Sequence, residues 1–164
     1  MRYLLLQIIN KLTGRFGYKD FAKQMRIRES GDRYNIKNSL GYLGAYQFGM
    51  ARLCDLGLTQ KSGSGYKWKS GYSEKKFLNS PEIQDDCFKR HICDLIVKVE
   101  IWFGEYLNKE VNGVYITKAG LVAGAHIGGI GGVEKFLIYG ENKKDAYNTS
   151  VRDYIISFRD FVLW

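Results

Sequence analysis

Proline is almost missing from this 164-residue chain, occurring once, at Pro81. Nearly every helix can therefore run without the ring clash and lost N–H that proline imposes. Histidine occurs twice. Cysteine occurs three times, as Cys54, Cys87 and Cys93, an odd count with no CxxC spacing. That pattern argues against a zinc site and against a disulfide framework, and no metal cluster or cofactor motif is expected. Free, partly buried thiols are the expectation. Cys87 and Cys93 fall on different faces of one helix, with a bridge from either to Cys54 left open. The opening MRYLLLQIINKL is too short to span a bilayer, and no small-residue cleavage site follows it. Neither a membrane span nor an export signal is expected there. Internal repeats and low-complexity tracts are also absent.

What is present fits one compact domain over residues 1–164, because 45% hydrophobic residues supply a core of the usual single-domain size. Apolar spacings of three and four outnumber alternations, so the fold class expected is mostly α, with a small loop or hairpin region. Glycine occurs nineteen times, six of them between Gly120 and Gly132, which predicts helices joined by glycine-rich functional loops. The 25 Lys and Arg against 17 Asp and Glu give a charge of +8 and favour a polyanionic partner. The basic residues are scattered and no nucleic-acid motif accompanies them, so nucleic acid is not the expected partner.

Leu5, Ile8, Ile9 and Leu12 follow helical spacing and predict an amphipathic first helix within residues 1–17, packed on the domain. A second helix is predicted from Tyr18 to Ser30, with Phe21, Met25 and Glu29 in one row and Gly31 as its stop. From Asp32 to Gly49 the composition reads as an ordered loop or short hairpin. A short helix follows from Met50, closing at Gly57, and Gln60 to Ser73 reads as polar and flexible. Ser80, Pro81 and Glu82 start the longest helix, expected to reach Leu107 with Val99, Trp102 and Phe103 on its apolar stripe. Another helix begins at Thr117 and runs to Ala125, before the glycine run GAHIGGIGG, and a last one covers Ser150 to Phe161.

Glu29 is the residue on which chemistry centres. It lies on an apolar stripe and in a last helical turn, two settings that favour a protonated carboxyl. The stretch after it, E-S-G-D-R-Y-N-I-K-N-S-L-G-Y-L-G-A-Y-Q-F-G, resembles the catalytic segment of soluble lytic transglycosylases and goose-type lysozymes. Glu29, Ser30, Gly41, Gly44 and Gln47 hold the places of that family's E-S and G-A-x-G-L-M-Q pattern. Tyr42, Ala45 and Tyr46 replace its alanine, leucine and methionine. The segment A-H-I-G-G at Ala125 to Gly129 is similar to the family's A-Y-N-A-G, with His126 and Ile127 substituted. T-S-V-R-D-Y ending at Tyr154 resembles its late T-x-x-Y segment, with two extra residues. F-L-N-S-P-E-I-Q at Phe77 to Gln84 is similar to phage-like relatives.

The resemblance implies a lysozyme-like fold and cleavage of the bond between N-acetylmuramic acid and N-acetylglucosamine, with Glu29 as general acid and then base and no cofactor. Ser30, Gly44, Tyr46, Gln47, His126, Gly128 and Tyr154 are the substrate-side residues it implies, Tyr154 being placed to touch Glu29. The bland reading stands beside each: Ser30 and Gln47 as loop architecture, His126 as a structural histidine, Tyr42, Tyr46, Trp68 and Tyr72 as packing. A second carboxylate has no fixed place. Asp32, Asp55 and Glu100 are the candidates, and the lack of a clear one favours transglycosylation over hydrolysis. The partner implied is a peptidoglycan strand at the cell wall or in the periplasm, with an immunity or inhibitor protein as a second. The rival function is a catalytically silent wall-binding or structural module of a phage tail or secretion apparatus, and a chitin-cleaving enzyme is a third.

Overall fold

The computed structural model describes residues 8, 9, 12, 16–144 and 148–164. They are mostly helical with a little sheet, as the spacing of apolar residues predicts. The chain divides into two compact units: Ala22–His91, and the segment up to Phe21 together with Ile92–Trp164. The predicted helix within residues 1–17 lies largely outside the described residues. Of its stripe, Ile8, Ile9 and Leu12 are described, and all three are exposed rather than packed in a core.

The unit Ala22–His91 takes most of helix α1 (Tyr18–Ser30), in which Ala22 and Met25 are buried. Gly31 ends that helix at φ +66°. Its amide donates to the Ile27 carbonyl, and the Asp32 amide donates to that of Arg26, each over 3.0 Å. This double closure satisfies two carbonyls of the last turn and needs a left-handed residue, which glycine supplies without steric cost. The following loop is ordered, as expected. Leu43 bridges both Lys37 and Phe48, and the Asn38 side chain accepts the amides of Leu40 and Tyr42. Helix α2 (Met50–Asp55) then closes before Gly57.

Residues 60–73, expected to be flexible, instead begin with a hairpin, β1 (Thr59–Ser62) paired antiparallel with β2 (Gly65–Trp68). The two-residue turn Gly63–Ser64 explains the difference. Gly63 adopts φ +58°, which matches the twist of a tight hairpin. At its base, Trp68 packs against Phe77 with ring centroids 5.9 Å apart, and the Thr59 hydroxyl donates to the Met50 carbonyl. Helix α3 (Glu74–Leu78) is capped by the Ser73 hydroxyl, which accepts the Lys76 amide. Helix α4 (Pro81–Phe103) starts at the single proline, as Ser80-Pro81-Glu82 predicts.

The other unit is built on the later part of α4, where Ile92, Leu95, Ile96, Val99 and Phe103 are buried. Trp102 is 59% exposed, so the apolar stripe is narrower than the sequence predicts. A 3-10 turn at Gly104–Tyr106 ends the helix short of Leu107, and a small hairpin follows, β3 (Glu110–Val111) with β4 (Val114–Tyr115). Helix α5 runs over Lys118–Tyr139, so the glycine run is helical and not a loop. Three of its glycines, Gly120, Gly124 and Gly128, serve close packing. A Cβ at Gly120 would lie 2.8 Å from the Ile155 carbonyl oxygen, one at Gly124 3.0 Å from Ile155, and one at Gly128 2.3 Å from Val151. Spaced four apart, the three glycines form a groove that admits helix α6 (Val151–Phe158) at close range. The helical path breaks once, at Gly129, with φ 67° and ψ 175°. Helix α6 begins at Ser150 with reciprocal capping by Asp153 and ends three residues before the predicted Phe161. Among the described residues α5 alone is long and apolar enough to cross a bilayer, and nearly half of its most apolar stretch is buried within the protein.

Candidate active site

Glu29 and Ser30 occupy the last turn of α1. One turn earlier Met25 is fully buried, and Glu29 itself is half-buried, at the rim of the row that the sequence places on one face. Ser30 is buried and spoken for. Its hydroxyl donates to the Arg26 carbonyl at 3.1 Å and accepts the Arg33 amide at 3.0 Å, while the Arg33 side chain donates to the Ser30 carbonyl at 2.8 Å. Of the two readings of Ser30, loop architecture is the one these bonds describe. By fixing the end of the helix, it fixes where the Glu29 backbone stands.

The loop bearing Gly41, Gly44 and Gln47 is held by Gln84 of α4, the last residue of the Phe77–Gln84 stretch. Its side chain is fully buried and makes three hydrogen bonds: Oε1 accepts the Ala45 amide at 2.8 Å, and Nε2 donates to the Phe77 carbonyl at 2.8 Å and to the Tyr34 carbonyl at 3.0 Å. Gly44 is the residue that lets it in. A Cβ at Gly44 would sit 2.1 Å from Gln84 Oε1, and Gly44 also holds φ +74°. Gln47 follows in the left-handed region at φ 51°, an uncommon conformation for a residue with a side chain. Its Nε2 donates back to the Gly44 carbonyl at 2.8 Å, which fixes the orientation of the side-chain amide.

Tyr46 departs from its expected role. It is fully buried, stacked on Phe88 with centroids 3.9 Å apart, and so is closed to a sugar ring. The ring fills core because its hydroxyl finds strong partners: it donates to Asp85 at 2.6 Å and accepts from Arg26 at 3.1 Å. Tyr34 donates to the same carboxylate at 2.9 Å. Burial and the bond to Asp85 push the Tyr34 hydroxyl up to about 12 and raise that of Tyr46 further. Arg26 completes the cluster, pairing with Asp32 at 2.6 Å and lying over both tyrosine rings. Burial opposes its charge, but the bonds to Asp32 and Tyr46 outweigh that and hold it charged. Tyr42, by contrast, is 43% exposed and keeps an outward ring.

The carboxylates considered as partners for Glu29 are each engaged in an ion pair: Asp32 with Arg26, Asp55 with Arg52 and Glu100 with Lys118. Trp68 is half-buried on Phe77, and Tyr72 lies under the Lys76 ammonium at 5.6 Å. The remaining predicted residues belong to the other unit. His126 is half-buried on α5, Gly128 is the close-packing point against Val151, and Tyr154 is buried with its ring stacked on Phe158 at 5.8 Å. For Gly128, helix packing accounts for the residue type.

All three cysteines are free, Cys87 buried and the others half-buried. Burial pushes the Cys87 thiol up to about 11. Among the described residues no group of three His, Cys, Asp or Glu is disposed to hold a metal. Comparison with protein-family models, with curated proteins and with solved structures finds no match for the chain.

Proposed function

We propose that the chain is a peptidoglycan-cleaving glycosidase of the lytic-transglycosylase type, with a lysozyme-like fold and with Glu29 as its one acid and base. One observation carries the reading. The residues that match the family pattern, Glu29, Ser30, Gly41, Gly44 and Gln47, lie in a single unit, and the tight backbone they require is built around Gln84. The engagement of Asp32, Asp55 and Glu100 in ion pairs supports a mechanism with one carboxyl rather than two.

In this mechanism the Glu29 carboxyl protonates the bridging oxygen as the bond from muramic-acid C1 breaks. The sugar's own C6 hydroxyl then bonds to C1 and its proton returns to Glu29, leaving an anhydro end and a restored acid. Gln47 contributes its amide oxygen to an N-acetyl N–H of the substrate, and Tyr42 offers an exposed ring to a sugar face. Such an enzyme acts at the cell wall or in the periplasm.

The test is incubation of purified peptidoglycan with the protein and with Glu29→Gln. Release of soluble muropeptides by the first and not the second supports the assignment. Equal release by both removes Glu29 from the chemistry, and binding without release by either makes the chain a silent wall-binding module. A parallel incubation with chitin separates a chitin-cleaving enzyme from both.

A further inference from the structure

The unit containing α5 and α6 holds an open cavity of about 430 Å³. Glycines form part of its wall. Gly128 and Gly132 meet Val151 there, and a Cβ on Gly131 would touch nothing within 4 Å, so this stretch of backbone faces open space. Among the described residues, the ionisable side chains lining it are Lys135, Lys143 and Lys144 with one carboxylate, Glu141.

What sets the cavity apart from the ordinary basic surface is the gathering of three lysines along one concave wall. Six cations elsewhere, Arg26, Lys37, Arg52, Arg90, Lys98 and Lys118, are each paired with a carboxylate, whereas exposed lysines such as Lys61, Lys67 and Lys109 are not, among the described residues. Among the described residues, none of the three cavity lysines has such a pair. Three like charges around one concave surface repel each other, and a concave wall focuses their field. An anion with several charges relieves that repulsion, and each ammonium can donate up to three hydrogen bonds to its oxygens. The lysines' long stems let them follow ligands of differing shape, whereas a single rigid site would call for arginine.

We propose that this cavity binds a multivalent oxyanion, carried as phosphate or carboxylate groups on a small or chain-like ligand. The proposal goes beyond the glycosidase reading and does not rest on Glu29. Its test is calorimetric titration of the full chain, at low ionic strength, with tripolyphosphate and separately with citrate. Two variants of equal net charge are titrated beside it, K135Q/K143Q/K144Q in the cavity and K61Q/K67Q/K109Q at exposed positions elsewhere. All six residues are exposed, and thermal melting confirms that both variants fold.

The expected result is saturable binding of at least one anion, weakened tenfold or more in the cavity variant and changed less than twofold in the control. Preference for tripolyphosphate assigns the natural ligand to phosphate chemistry, and preference for citrate assigns it to carboxylates. Equal weakening in both variants overturns the proposal in favour of general charge attraction, and no saturable binding of either anion overturns it outright.

Discussion

The Gln84 side chain occupies the space that a side chain on Gly44 would fill, with Oε1 only 2.1 Å from an ideal Cβ. Gly44→Ala therefore meets two penalties, a clash with a buried amide and an L-residue at φ +74°. A loss on the order of 3 kcal/mol is expected in urea denaturation. Gly41 has a similar φ of +86° but nothing within 4 Å of its Cβ. Gly41→Ala should cost only about 1 kcal/mol, the conformational part alone. Equal losses would mean that Gln84 does not set the loop.

Gln84→Ala tests the same relationship from the other side. It strips hydrogen bonds from the Ala45 amide and from the Phe77 and Tyr34 carbonyls. Leaving a buried group unsatisfied costs about 1–3 kcal/mol, so a total of about 3 kcal/mol or more is expected. Amide exchange at Ala45 should quicken well before global unfolding. Unchanged protection there would show that the loop holds its shape without the clamp.

How far the sequence carries can be judged at these residues. The bounds of α1 and the start of α4 were legible because caps and stops act within one turn: Gly31 and Ser80-Pro81 are local signals. The turn at Gly63 is equally local but was submerged in a polar stretch that reads as loop. What could not be read was side-chain destination. Tyr46 and Tyr42 look alike in sequence, yet one stacks on Phe88 and the other is exposed, because an Asp85 and an Arg26 distant in the chain satisfy the hydroxyl of the first. The glycines of α5 posed a similar problem. Their spacing of four signals helix packing, but only the position of Val151 and Ile155 shows it is used. Gln84 had one clue, its place at the end of the Phe77–Gln84 motif.

The tyrosine pair predicts how stability falls with alkali. Both hydroxyls keep their protons in the folded state to a higher pH than the ordinary value of 10, Tyr34 to about 12. The unfolded chain ionises first, so their contribution is intact below about pH 10 and is lost as pH rises through 10 to 12. Denaturant midpoints measured from pH 8 to 11.5 should fall, and fall less steeply in Tyr34→Phe/Tyr46→Phe. An identical slope in that variant would assign the alkaline loss to other groups.

Thiol labelling should separate the cysteines. With its thiol pushed up to about 11 by burial, Cys87 is almost wholly protonated at pH 8 and shielded from reagent. Half-buried Cys54 and Cys93 should be modified first, and Cys87 only once denaturant is added. Fast labelling of all three in the native protein would contradict the packing around Cys87.

The most direct measurement of the central claim is mass spectrometry of the products formed from purified peptidoglycan. The lone-carboxyl mechanism of Glu29 predicts muropeptides ending in anhydromuramic acid, one water lighter than hydrolysis products, and their disappearance with Glu29→Gln. Hydrated reducing ends alone, or the same anhydro products from the Glu29→Gln protein, would contradict it.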